Sequence, residues 1–238
     1  MNAGRTARER ARAELTQEIK DTARRQLATD GAGRLSLRAV SRELGMVSSA
    51  LYRYFPSRDE LLTALIIDAY DALGAEAEKA ARGNDDPREA WLAVCRAVRG
   101  WAREHPHEYA LIYGSPVPGY SAPRSTVEPA ARGVLALLGT LTRAQEGGVL
   151  VAPADAVEPA GLLVEQVALL ADTAPGVPVA VLLRASMAWT QLFGMISFEL
   201  YGQLVGTFDP ADEFFETAIA QQADLVGLTR TALREGFR

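Results

Sequence analysis

Three features of the 238-residue sequence predict an all-α fold: an N-terminal three-helix helix-turn-helix domain followed by a larger helical domain. Apolar residues recur at three- and four-residue intervals. No convincing period-two run marks a strand. Glycine, proline and acid-proline breaks cut the chain into segments of helical length. Leu15, Ile19, Ala23 and Leu27 form the first stripe, which Asp30-Gly31 stops. Ser36 is placed to cap a short helix whose inner face is Val40 and Leu44, and Gly45 ends it. A third short helix covers about Ser48 to Phe55, up to Pro56. Ser57-Arg58-Asp59-Glu60 reads as a capping box that starts a long fourth helix through Leu61, Leu62, Leu65, Ala69 and Leu73 into the 80s.

Asp86-Pro87 starts a fifth helix with Trp91, Val94, Val98 and Trp101 on one face. Pro106 to Tyr113 is a further short helix. A turn-rich loop runs from Gly114 to Pro123, and a helix follows to about Gln145. Residues 156–173 are expected to be helical and amphipathic. Val179 to Leu204 reads as a helix apolar nearly all round, and a last helix is expected from Asp209-Pro210 to about Arg234.

Composition narrows the function classes. Apolar residues make up 48% and charged residues 23%, as in an ordinary globular protein. Cys95 is the single cysteine, so no internal disulfide framework forms and a cytoplasmic location is expected. His105, His107 and Cys95 lack zinc-site spacing, and no cofactor motif is present. No run reaches the ~18 uncharged apolar residues of a membrane helix; Ala185 to Phe198 is too short. Arg5, Arg8, Arg10 and Arg12 are not followed by an apolar run, so the start is not a secretory signal. No Gly-x-Ser-x-Gly elbow supports Ser115 as a nucleophile with His105 or His107, which argues against an enzyme.

The formal net charge is −5. Residues 1–60 carry twelve Lys/Arg against eight acids, a net of +4, which leaves −9 on the rest. A basic head on an acidic body confines polyanion contact to the head; the competing reading is a solvated basic face. The third helix exposes Ser48, Ser49, Tyr52 and Arg53, whose types suit entry into a major groove. Arg34, Arg38 and Arg42 are read either as DNA contacts or as surface charge, and residues 1–14 as a basic arm that is either loose or tracks DNA.

The string from Leu35 to Leu62, with Gly45 at the turn and Leu-Tyr-Arg-Tyr-Phe-Pro after it, closely resembles the DNA-binding domain of the TetR/AcrR family of transcriptional regulators. The resemblance implies DNA-backbone contacts at Ser36, Tyr52, Tyr54 and Arg58. At Val47 the family commonly has a capping Ser or Thr; valine cannot cap, and Ser48 is the substitute. Trp101, His105-Pro106, Tyr109 and Gly114, with Trp189, Gly194, Glu199-Leu200 and Gly202, are similar to the C-terminal domain called WHG. Phe193 stands where that group often has His.

The resemblance divides the chain into a 1–14 arm, a 15–60 DNA-binding domain and a 61–238 effector-binding and dimerisation domain. It implies a homodimeric repressor of a double-stranded operator, released by a small, mostly apolar effector. The alternative is a regulator whose body only dimerises or meets a protein. The 179–204 helix is then either a dimer interface or a core helix. The effector candidates are Trp101, His105, Tyr109, Tyr113, Gln166, Trp189 and Phe193, each of which could equally be packing.

Overall fold

The computed structural model describes residues 3–152, 154 and 159–229, with side chains from Thr6 onward. Among the described residues all regular structure is helical. The elements are α1 (Ala3–Asp30), α2 (Leu37–Glu43), α3 (Ser48–Leu51), α4 (Arg58–Arg82), α5 (Pro87–Glu104), α6 (Pro106–Tyr113), α7 (Val127–Glu146), α8 (Leu162–Ala171), α9 (Val179–Leu200) and α10 (Asp212–Leu225). Single 3₁₀ turns cover Ala32–Arg34 and Arg124–Thr126.

The chain forms two compact units. The first comprises Met1–Asp71 and His105–Ala130, and the second Ala72–Glu104 and Ala131–Arg238. α4 contributes to both, and α6 with its following loop joins the N-terminal unit.

In the first unit the stripe of α1 is buried as its spacing predicts: Ile19, Ala23 and Leu27 meet Leu35, Val40, Leu51, Phe55, Leu61, Leu62 and Leu65. Leu111 and Ile112 of α6 and Val117 and Tyr120 of the following loop close the same core. Lys20 and Arg24 of α1 pair with Asp68 of α4 at 2.8 and 2.6 Å, and Arg24 also pairs with Glu108 of α6 at 3.0 Å. Burial works against the Arg24 charge, but Glu108 and Asp68 outweigh it and raise the pKa. Ser57 Oγ accepts the Glu60 amide at 3.1 Å, so the cap at the start of α4 forms.

In the second unit arginines tie the helices. Arg99 makes a bidentate pair with Glu199 at 2.7 Å on each arm, donates to Asp212 at 2.9 Å and lies over the Phe215 ring. Arg96 pairs with Glu216, and Arg88 with Asp224 and the Leu228 carbonyl. Arg132 pairs with Glu78 at 2.8 Å where α4 and α7 approach closely. A Cβ on Gly74 would lie 2.6 Å from the Cβ of Arg132, so the crossing requires glycine.

α9 is long and apolar enough to cross a membrane by length and composition, yet half of it is buried inside the protein. Arg184 within it donates to the Leu225 carbonyl. Ala185 and Ala188, expected as flat ground for a partner helix, face inward and are buried.

Three elements differ from the sequence expectation. α3 is one turn long; its last residues tighten, with Arg53 N bonded to Ala50 O and Tyr54 N to Leu51 O. α8 spans Leu162–Ala171 rather than 156–173; residues 156–158 lie outside the described residues. α10 begins at Asp212 and ends at Leu225, where Leu228 N bonds to Ala223 O and Val151 N to Gly227 O; residues 230–234 lie outside the described residues.

Candidate nucleic-acid interface

The helix-turn-helix is built outward from the buried side of α2 and α3. Leu37 and Val40 of α2 and Leu51 of α3 enter the core, which turns the opposite faces outward. Gly45 adopts φ +65° between the two helices, a conformation that a residue with a Cβ adopts at a cost of ~1–2 kcal/mol. The buried Ser41 was not singled out by sequence. Its hydroxyl meets the Arg38 carbonyl at 3.0 Å and the Ser48 hydroxyl at 3.1 Å, clipping α3 to α2. Two serines seven residues apart carry no sequence signal for such a clip.

The outer face carries Ser49, Tyr52 and Arg53, all exposed, with the exposed Arg38 of α2. Ser36 occupies the N-cap position of α2, but its hydroxyl makes no capping hydrogen bond. Val47 occupies the N-cap position of α3 without a side-chain bond. Ser48 does not take over as cap: it is already the first helical residue, and its hydroxyl is engaged by Ser41.

Two residues read as DNA contacts have protein partners. Arg58 donates from Nε to the Leu35 carbonyl at 3.1 Å and from Nη2 to Ala32 and Gly33 at 2.8 and 3.3 Å. It therefore holds the 3₁₀ turn that leads into Ser36. Tyr54 is half-buried against the core, and the Arg12 guanidinium lies 4.9 Å above its ring. Arg12 also donates to the Arg53 carbonyl at 3.2 Å. The stretch read as an arm is helical from Ala3 in this structure, and Arg12 is the residue that reaches α3.

The seven effector candidates fall in both units. In the first, Tyr109 is fully buried, with Tyr113 at 5.3 Å between ring centroids and Tyr70 6.0 Å beyond Tyr113. Burial pushes the Tyr113 phenol well above its usual pKa, and the neighbouring Tyr70 and Tyr109 add to this. His105 is more exposed and its Nδ1 lies 3.1 Å from Glu108. In the second unit Trp189 and Phe193 meet edge to face at 4.5 Å, Trp101 is buried in α5, and Gln166 is exposed on α8.

An all-helical chain with a glycine-turned helix pair, its inner face buried and its outer face basic and hydroxylated, is a DNA-binding transcriptional regulator rather than an enzyme. The comparisons agree. The model described as bacterial regulatory proteins, tetR family, matches residues 19–65. The one described as tetracyclin repressor-like, C-terminal domain, matches residues 91–222, a stretch that contains the WHG-like residues. The chain belongs to the TetR family. It is 39% identical over 213 residues to the HTH-type transcriptional regulator Rv1816 of Mycobacterium tuberculosis, covering 81% of this chain and 83% of that one. The same figures hold for Mb1846 of Mycobacterium bovis. The solved structure of SCO4313 is 34% identical with a TM-score of 0.74, covering 91% of this chain and 98% of that chain. PfmR, a TetR family regulator from Thermus thermophilus, shares the fold at 22% identity and a TM-score of 0.58, covering 89% and 99%.

Proposed function

We propose that the protein is a cytoplasmic homodimeric repressor, released from a pseudo-palindromic operator by a small, mostly apolar effector. The observation that carries the DNA half is the exposed row of Ser49, Tyr52 and Arg53 beside Arg38 and the uncommitted hydroxyl of Ser36. In this reading Arg53 reads bases, and Ser36, Arg38 and Tyr52 hold phosphates. Ser48, Tyr54 and Arg58 keep that face in shape.

The dimer is supported by an exposed stripe on α9. Met187, Gln191, Gly194, Phe198 and Tyr201 follow one another at steps of four and three, the spacing of a helix seam. Met187 and Phe198 are 56% and 55% exposed, which is unusual for large apolar groups aligned on one helix face. Two recognition helices in such a dimer sit one DNA turn apart, ~34–36 Å. Effector binding in the second unit favours a spacing that no longer fits the operator, at a coupling energy of ~1–3 kcal/mol. α4, shared by both units, is the lever.

The test uses the purified protein and fragmented DNA from its source. Retained fragments are sequenced at two salt concentrations, and the mass of the free protein is measured by sedimentation. A shared pseudo-palindrome whose retention weakens as salt rises, with a sedimenting dimer, supports the reading. Retention without a shared sequence, or a monomer, overturns it. Equal operator affinity with and without a bound effector removes the release step.

A further inference from the structure

Three buried polar atoms in the second unit have no partner: the Trp91 indole Nε1 and both amide atoms of Gln222, Nε2 and Oε1. Trp91 is 0% and Gln222 2% exposed, so bulk water does not serve them. Such atoms are rare in folded proteins because each forfeits its hydrogen bonds to water and gains nothing. A leucine would fill the place of Gln222 without that cost. The amide is therefore explained by something that hydrogen-bonds to it.

The two residues lie at one level of the bundle. α10 runs antiparallel to α5, since Arg88 reaches Asp224 and the Ala220 carbonyl, Arg96 reaches Glu216, and Arg99 reaches Asp212. That register sets Trp91 opposite the turn that holds Gln222. α9 also runs antiparallel to α10: Arg184 donates to the Leu225 carbonyl at one end, and Glu199 shares Arg99 with Asp212 at the other. One turn beyond Arg184, the fully buried Ala188 brings only a methyl group to the level of Gln222.

Charge at this level is already balanced. Arg88 and Arg99, the buried cations of α5, are matched by Asp224 and by Glu199 with Asp212. Burial raises the Cys95 thiol far above its usual pKa, so it stays neutral. An ionised ligand would enter with no free counter-charge.

We infer that Trp91 and Gln222 anchor the effector, and that the effector is a neutral molecule bearing a carboxamide or lactam group. This rests on the reading that the second unit binds an effector. Gln222 offers one donor and one acceptor, and Trp91 offers a donor only. A lactam answers all three: its N–H donates to Gln222 Oε1, and its carbonyl accepts from Gln222 Nε2 and Trp91 Nε1. A carboxylate lacks the donor, and a hydrocarbon satisfies none of the three.

The experiment follows the Trp91 indole N–H by nitrogen-15 NMR of the full chain, the resonance being identified by its loss in Trp91→Phe. The probe is 2-piperidone, with cyclohexanone as the control that accepts but does not donate. The lactam is expected to shift the Trp91 resonance saturably, and cyclohexanone to bind at least tenfold more weakly. Gln222→Leu is expected to fold with an unchanged or higher melting temperature and to weaken the lactam at least tenfold. A Trp91 resonance that stays in place up to the solubility of the lactam overturns the inference. So does equal lactam binding in Gln222→Leu, and so does a fall of several degrees in that variant's melting temperature, which would show the amide satisfied by trapped water. Operator retention by the parent without probe is measured alongside. Its loss would overturn the regulator reading alone, whereas a null lactam titration with retention intact overturns this inference alone.

Discussion

The arginines of the two units are used in opposite ways. In the second unit Arg88, Arg96, Arg99 and Arg132 each meet a carboxylate, and the most buried of them, Arg99, meets two. On α2 and α3, Arg38, Arg42 and Arg53 stand exposed without an ion pair among the described residues. A buried guanidinium needs its partner inside the protein, because removal of either one leaves a charge in a poor solvent. A guanidinium meant for phosphate or guanine does better without one. An internal carboxylate would compete with the ligand and would have to be displaced on binding. The same residue type is structural where it is paired and available where it is not.

Arg99→Ala breaks the paired side of this contrast most severely. The residue is 7% exposed and serves Glu199, Asp212 and Phe215 at once, so the loss is expected to reach ~3–5 kcal/mol in chemical denaturation. Arg99→Lys, which keeps the charge but not the bidentate geometry, should recover only part of it.

Gly74→Ala forces a methyl group into the Arg132 side chain at the α4–α7 crossing, with ~1–3 kcal/mol expected in the same measurement. If stability is unchanged, the crossing is looser than the 2.6 Å approach implies.

Arg53→Ala addresses the unpaired side. Operator affinity should fall by ~1–3 kcal/mol in a retention titration and selectivity at one base position should relax. Stability should stay within about 0.5 kcal/mol, as for other exposed surface changes. A large fall in melting temperature would mean that Arg53 belongs with the structural arginines.

Arg12→Ala removes the cation from the Tyr54 ring and the bond to the Arg53 carbonyl. The cost to stability is expected to be ~0.5–1 kcal/mol at this exposed site. Tyr54→Phe, which keeps the ring, should leave that contribution in place.

Acid gives an independent probe of the paired side. Hydrogen bonds from Arg132 and Arg96 hold Glu78 and Glu216 below their usual pKa. Their stabilisation is complete above the unfolded carboxylate value of about 4.3 and is lost as pH falls through the lower folded values. A melting temperature that is flat from neutrality to about pH 5 and drops below about 4 is the expected profile.

The legible parts of the fold were those written locally. The stripe from Leu15 to Leu27, the turn at Gly45, the Ser57 cap and the acid-proline start of α5 each depend on residues a few positions apart. The Schellman-like end of α10 was also local: Gly227 signals the stop, and the expected helix ran past it. What escaped the sequence is held from a distance. Arg58 lies 23 residues from the Leu35 carbonyl that it holds. Arg99 lies 100 residues from Glu199. The site was legible in the same proportion. Ser49, Tyr52 and Arg53 follow from helix phase alone, whereas the clip from Ser41 to Ser48 and the contact from Arg12 to Tyr54 depend on tertiary placement.

The division of the chain into units sets the rules for grafting one regulator's reading head onto another's sensing body. The chain passes between the units at Asp71/Ala72, Glu104/His105 and Ala130/Ala131. The first and third of these fall inside α4 and α7. A transplant cut after residue 71 would leave behind Leu111 and Ile112, which close the donor's core, and Glu108, which pairs with Arg24. A working chimera must carry the 105–130 segment with the head. Specificity for DNA in this protein is therefore exchanged as two pieces of sequence or not at all.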